Sequence, residues 1–412
     1  MREYMKKRLD TTAIVHTARM NENTINAYRI SIAMDHTVNP QLLQQAVDNT
    51  IQRYPMICCR MVEDGYWVYS EGLESLKIMP DTLGVLGSIT HKNVYQQAMN
   101  IIYKDDRIIL EAFHSVTDGH GAFTYINTLL GEYLRLKNSS GDENVCYGTA
   151  PEAEYEDGFI TYSTIKENPE KISKVTAPFA FEKIDYSVSP QFTTYRLNLK
   201  EMKNLAKSNQ CTLNELALAM VYNSIFRINS SEGKDVVLAV PINLRNKFQS
   251  RSLRNFIHLA KINLHKNVEG KSMQDMVKEI RRQLHLQNNK EYLHKAISQY
   301  GRLQQSFFMK IAPLWMKNII VKLGDVFKYD KSCMTVSNLG DVSYILPDAY
   351  ANIKFVDTML APRMNSPYNC CLATLGDYMN ITFTHSHKGD HFVSGIDSWL
   401  KENSISYTTY VH

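Results

Sequence analysis

Between residues 138 and 190 the sequence loses every regular pattern, and this gap constrains the architecture more than any other feature. Ser, Gly, Asp, Glu, Asn and Pro dominate the stretch NSSGDENVCYGTAPEAEYEDG, which carries neither the alternation of a strand nor the spacing of a helix. A connection this long with no structure of its own is unusual inside one compact domain. With 412 residues to divide, it predicts an N-terminal lobe over 1–165 and a C-terminal lobe over 185–412, joined by a crossover at 138–190.

Both halves mix strands and helices. Residues 25–36 (INAYRISIAMDH) alternate like a strand, and Asn39-Pro40 opens a helix whose Leu42, Leu43, Ala46, Val47 and Ile51 share one face. That helix stops before Tyr54-Pro55. Met56 to Val62 and Tyr66 to Tyr69 flank Glu63-Asp64-Gly65 as a hairpin, and a helix is expected near 91–100. Asn100 to Tyr103 and Arg107 to Phe113 then form two strands about a turn at Lys104-Asp105-Asp106, and helical spacing runs from Gly119 to about Lys137.

In the second half, strands are predicted near 193–199, 236–241, 256–264, 332–337, 352–359, 369–375 and 378–384. Helices are predicted over 199–208, 213–227, much of 271–323 and 390–402. The regular βαβ rhythm of a doubly wound sheet or barrel is missing, so the expected class is α/β with mixed sheets.

Composition excludes several classes of function. Hydrophobic residues make up 44% and charged residues 21%, which suits a globular chain and not a disordered or fibrous one. The formal charge of +4, from 46 basic and 42 acidic residues, is too small and too diffuse for a nucleic-acid partner. No apolar stretch reaches the ~18 residues of a transmembrane helix, and the basic start is followed by no signal-peptide core. Seven cysteines without Cys-x-x-Cys spacing read as reduced thiols of a cytoplasmic protein.

The chemistry concentrates in Phe113-His114-Ser115-Val116-Thr117-Asp118-Gly119. By residue frequencies His-x-x-x-Asp-Gly arises by chance in about a few per cent of chains this long, so its context decides. It sits where a buried strand turns into a helix, a place where sites are commonly built. An imidazole with a reference pKa of about 6.5 is largely neutral at pH 7 and accepts the proton of a hydroxyl or amine as that group attacks a carbonyl.

Asp118 is given a structural post instead of the orienting role of a triad acid. Buried, it needs a cation or several N–H donors, and Arg245 is the candidate partner. Gly119 is expected to allow a positive φ or a close approach of another segment, and Gly121 to leave room at the start of the helix. The plain alternative is a satisfied polar His and Asp with no catalytic duty.

Phe113 to Gly119 resembles the active-site motif of the superfamily that contains chloramphenicol acetyltransferase, alcohol acetyltransferases, wax ester synthases and peptide-synthetase condensation domains. Phe113 stands where many members carry a further histidine. Other landmarks fall in order along the chain: Leu9-Asp10, Arg53-Tyr54-Pro55, Val240-Pro241-Ile242-Asn243-Leu244-Arg245, Asn255-Phe256 and Ser337-Asn338-Leu339-Gly340. The overall look is nearest to bacterial alcohol acetyltransferase-type proteins.

The resemblance implies two chloramphenicol-acetyltransferase-like lobes with an active-site tunnel between them. His114 would be the general base for direct acyl transfer from a CoA thioester to a small-molecule alcohol or amine. Asp118, Gly119 and Arg245 would support the turn, and Ser337 or Asn338 would contact the oxyanion or the tunnel unless that segment is a plain turn. No cofactor is implied beyond acyl-CoA as co-substrate. The alternatives are a condensation-type enzyme served by an acyl carrier protein and a non-catalytic binding member.

Two further signals stand apart. His385, His387 and His391 have some of the spacing of metal ligands, but no carboxylate or cysteine set completes a site, so no metal is expected. Residues 306–327 (SFFMKIAPLWMKNIIVKLGDVF) read as a packed pair of helices broken at Pro313, with a membrane-resting or greasy acceptor wall as the other reading.

Overall fold

The computed structural model describes residues 6–23, 25–138, 145, 147–171, 175–182, 184, 190–228, 231–265, 272–327, 332–362, 366–386 and 391–411. The alternating segment becomes the strand Ala27–Met34, buried along its whole length. The helix Pro40–Thr50 starts where Asn39 Oδ1 accepts the N–H groups of Gln41 and Leu42, and it buries Leu43, Ala46 and Val47. The hairpin strands Cys59–Glu63 and Val68–Gly72 form a small sheet with Lys6–Arg8 at its edge.

No helix forms near 91–100. Thr90 N–H donates to Asn93 Oδ1 and Asn93 N–H to Thr90 Oγ1, which closes a short 3₁₀ turn, Asn93–Tyr95. The chain then enters the strand Met99–Lys104, because Ile101 and Ile102 are worth more against the sheet than in an isolated helical turn.

The larger N-terminal sheet runs in the order Ile353–Leu360, Ala27–Met34, Arg107–Phe113, Met99–Lys104, Met79–Pro80. Its outermost long strand comes from the second half of the sequence, so a contiguous C-terminal lobe over 185–412 does not hold. Ala27–Met34 is buried on both faces and would otherwise present a bare, apolar edge; Ile353–Leu360 pairs with it antiparallel and covers that edge. The Arg107 guanidinium donates to Asp357 Oδ2 at 2.7 Å and fixes the added strand to the sheet. Val342, Leu346, Ala349 and Val356 accordingly belong to the core of the first lobe.

The second lobe is built on a seven-stranded sheet in the order Ile257–His265, Asp235–Asn243, Met334–Asp341, Tyr368–Leu375, Tyr378–His385, Gln191–Asn198, Tyr407–Val411. Asp235–Asn243 contains the strand predicted at 236–241 and is buried from Asp235 to Val240. Against the sheet lies the helix Leu213–Phe226, opened by a reciprocal cap in which Thr212 Oγ1 takes Glu215 N–H and the Glu215 carboxylate takes Thr212 N–H.

The crossover is tied to both lobes. Glu154 receives both terminal nitrogens of Arg53 at 2.6 Å, while Asp235 Oδ2 accepts the N–H groups of Thr176 and Ala177. A third cluster of Phe159, Leu244, Phe248, Phe256, Leu293 and Ile297 packs the end of this connection onto the second lobe.

Candidate active site

The strand Arg107–Phe113 carries His114 to the seam between the lobes. Phe113 pairs with Ala27, and His114 N–H donates to the Asn26 carbonyl at 2.8 Å, so the ladder still holds the backbone where the side chain leaves the sheet. Val116 N–H closes onto the Phe113 carbonyl, and the helix Gly119–Asn138 begins three residues later. Phe113, Ser115, Val116, Thr117 and Asp118 are buried, whereas His114 is half-buried.

From the facing lobe, Asn255 Oδ1 lies 3.0 Å from His114 Nδ1. Which way that amide points is settled one residue further out. Asp10 Oδ2 lies 3.1 Å from Asn255 Nδ2, and a carboxylate only accepts, so Asn255 presents NH₂ to Asp10 and its carbonyl oxygen to the imidazole. His114 Nδ1 is therefore the donor, and the basic lone pair sits on Nε2. Asp10 is itself held, its other oxygen accepting Thr12 N–H, Thr12 Oγ1–H and Ala13 N–H at 2.7–2.9 Å.

Rings confine the imidazole. His16, on the short helix Ala13–Arg19, stacks on it at 5.0 Å between centroids, and Asn26 Nδ2 donates to His16 Nδ1 at 2.6 Å. Tyr28 meets it edge-on at 5.1 Å; burial and the nearby Asp118 push this phenol well above its ordinary pKa, so it stays neutral. Burial, aided by Asp10, likewise pushes Asp157 up to about 6, and Thr11 donates to that carboxyl through both N–H and hydroxyl.

Asp118 and Arg245 meet as a buried pair, Nη2 standing 2.9 Å from Oδ2. Asp118 also accepts Phe256 N–H at 3.0 Å, His120 N–H at 3.1 Å and Gly121 N–H at 3.3 Å. Arg245 in turn donates to the Ser252 and Arg254 carbonyls and to Asn243 Oδ1. The pair thus clamps residues 252–256 of one lobe to the turn of the other, and Asn255 rides on that clamp.

The two glycines differ. A Cβ on Gly121 would stand 2.1 Å from Thr117 Oγ1 and 2.3 Å from the Leu253 carbonyl oxygen, which only glycine tolerates. Gly119 shows neither a positive φ nor a close approach: its nearest neighbour is Leu339 Cδ2 at 3.9 Å, so the turn does not need glycine there.

Leu339 brings the 337–340 segment beside the turn. Asn338 is exposed, donating to Asn214 Oδ1 at 3.2 Å and accepting Gly340 N–H at 2.9 Å, while Ser337 is half-buried. Ser115, next to His114, is fully buried and donates to the Ala13 carbonyl. Burial pushes the Cys58 and Cys371 thiols up to about 12 and raises Cys59 and Cys370 as well, so none of these four is a thiolate at neutral pH.

His385 is buried with its ring stacked on Tyr368; His387 lies outside the described residues, as does the side chain of His391. Among the described residues no three metal-ligating side chains cluster. His16 and Tyr28 carry no signal in the sequence; Asp10 and Asn255 stand there only as landmarks of the resemblance, and their contact across 245 positions is visible only in the fold.

By sequence, no protein-family model and no curated protein matches this chain. By structure, it is similar to F. sporotrichioides TRI101 complexed with coenzyme A and T-2, at TM-score 0.63 and 10% identity, covering 98% of this chain and 99% of that one. It is also similar to the TRI3 trichothecene 15-O-acetyltransferase from Fusarium sporotrichioides, at TM-score 0.58 and 10% identity over 97% and 95% of the two chains. A third likeness is to the condensation domain of the monacolin K polyketide synthase MokA, at TM-score 0.57 and 11% identity over 97% of each chain. The fold is the two-lobed one of the chloramphenicol-acetyltransferase and condensation-domain type. These likenesses run nearly the full length of this chain, so both lobes share the fold.

Proposed function

We propose that this protein is an acyltransferase that moves an acyl group from a CoA thioester directly to an alcohol or amine, with His114 as general base. The observation that carries the reading is the relay Asp10–Asn255–His114, which spans the lobe seam and sets the proton on Nδ1. The acceptor O–H or N–H then gives its proton to Nε2 while its lone pair attacks the thioester carbonyl carbon. As the tetrahedral adduct collapses, the C–S bond breaks and the imidazolium returns the proton to sulfur, releasing free CoA thiol. A thiol of pKa about 8.5 leaves without strong acid help, and holding both reactants at one ring removes association entropy from the step.

Direct transfer is favoured because the hydroxyl beside His114 and the buried thiols are unsuited to an acyl-enzyme. Ser337 is the better nominee for an oxyanion contact, since the Asn338 amide is engaged with Asn214 and Gly340. The TRI101 complex with coenzyme A and the TRI3 15-O-acetyltransferase support the choice of donor and acceptor class. The likeness to a condensation domain supports a second reading, in which the acyl group arrives on a carrier protein. Buried thiols fit a reducing compartment, and the cytoplasm is the proposed location.

The test is a panel of acyl-CoAs against pooled alcohols and amines, with thiol release as readout. Acceptor-dependent release supports the first reading. Activity confined to carrier-bound donors moves the assignment to the second, and none with either donor overturns both.

A further inference from the structure

The second half of the molecule carries an exposed apolar surface. It lies on three consecutive helices, Lys290–Gln305, Phe307–Ile311 and Leu314–Phe327. Phe307 is 76% exposed and Trp315 61%, and Leu303, Phe308, Ile311 and Ile319 are exposed as well. Phe307 and Ile311 are four apart on one helix, Trp315 and Ile319 four apart on the next, and only Ala312-Pro313 separates the two helices. Each pair therefore shares a helix face. Six large apolar side chains in so short a stretch form more than the scattered exposure that any surface shows.

Charge over the middle of this stretch is basic, with Glu291 and Asp325 at its two ends and Lys295 paired with Glu291 and Glu167. From 292 to 324 the sequence contains no Asp or Glu but five Lys or Arg, at 295, 302, 310, 317 and 322, more than the whole chain's net +4. Lys310 and Lys322 are exposed among the apolar side chains, and Arg302 is half-buried, donating to the Ile165 carbonyl and Asn168. Lys317 faces inward instead, donating to the Tyr66 carbonyl at 2.8 Å with its ammonium over the Trp67 ring, and this anchors the helix Leu314–Phe327 to the first lobe. The adjoining hairpin carries three acids: Asp64 accepts Tyr66 N–H, Trp67 N–H and Tyr69 O–H, Glu63 accepts Tyr95 O–H, and Glu71 pairs with Arg60.

We propose that this face docks the protein onto an anionic phospholipid surface, with Phe307, Ile311 and Trp315 entering the headgroup boundary and Lys310 and Lys322 meeting lipid phosphates. Aromatic and aliphatic side chains flanked by lysines, on helices too short to span, suit a helix face lying in the interface. Among the described residues no helix is long and apolar enough to cross a membrane. Lys310 and Lys322, exposed among the apolar side chains and without an acid from 292 to 324, complement a negatively charged lipid surface. The inference is independent of the acyltransferase reading.

The experiment is co-sedimentation of the whole protein with vesicles of phosphatidylcholine alone, or mixed with phosphatidylglycerol. Trp315 emission is followed in parallel, since Trp399 is buried and Trp67 lies between Arg8 and Lys317. Binding is expected on the anionic vesicles with a blue shift of the emission. Lys310→Gln and Lys322→Gln should each weaken it about fivefold. Phe307→Ser combined with Ile311→Ser should abolish it at an unchanged melting temperature, and His114→Ala should bind as the parent does. Equal binding to both vesicle types, no binding to either, or a dimer that the double serine variant dissociates would each overturn the proposal.

Discussion

Arg245→Met puts the clamp across the lobe seam to a quantitative test. The substitution keeps much of the side-chain volume but removes the cation standing 2.9 Å from Asp118 Oδ2. Breaking a buried pair from one side costs about 3–5 kcal/mol, because the remaining charge is left uncompensated. Asp118 keeps three backbone donors, from His120, Gly121 and Phe256, which places the charge term at the lower end, about 3 kcal/mol. The Ser252 and Arg254 carbonyls lose their donor at about 1 kcal/mol each, for a total of about 5 kcal/mol. That is a third or more of the ~5–15 kcal/mol that holds an ordinary domain together.

Urea unfolding of the parent, Arg245→Met, Asp118→Asn and the double variant closes the cycle. Removing both charges should recover about 2 kcal/mol relative to the sum of the single losses. A loss below about 1 kcal/mol in Arg245→Met, or strict additivity, would refute the clamp.

Three other outcomes follow. Asn255→Leu should leave the fold intact but free the His114 tautomer, lowering kcat/KM by about 10–100-fold, the worth of a hydrogen bond of ~1.5–3 kcal/mol; unchanged kcat/KM would remove Asn255 from the relay. Gly121→Ala should cost about 3 kcal/mol or more through its clash with the Leu253 carbonyl, while Gly119→Ala should be neutral or slightly stabilising; equal melting temperatures for the pair would contradict the packing.

Asp157→Asn tests the raised carboxyl. A folded pKa near 6 against 3.8 unfolded means that ionisation costs stability as pH rises from about 4 to 6, and that below 3.8 the cost vanishes. The variant should gain melting temperature over the parent across that window, and a difference that shrinks with rising pH would be the wrong sign.

Local chemistry explains which features could be read from the sequence. Thr212 with Glu215 announces the helix Leu213–Phe226, and the alternation over 25–36 announces Ala27–Met34, because caps and pleats act within a few residues. The placement of His114 between a buried strand and a helix was legible for the same reason. Sheet membership was not: the pattern of Ile353–Leu360 says strand, but only the exposed edge of Ala27–Met34, more than three hundred positions upstream, decides which sheet it joins. The helix expected near 91–100 failed because side-chain bonds between Thr90 and Asn93 compete with helical ones over so short a run. Gly119 and Gly121 look alike in sequence, and only the tertiary approach of Leu253 separates them.

The most direct measurement of the central claim is acceptor-dependent thiol release from acyl-CoA by His114→Ala, beside the parent. The variant loses the ring contacts to His16 and Tyr28, so its melting temperature is followed beside its turnover and a folded protein is the condition of the test. With the base gone, turnover should fall by at least the ~10²–10⁴-fold that positioned proton transfer supplies. A folded His114→Ala protein that releases thiol at the parental rate would contradict the account.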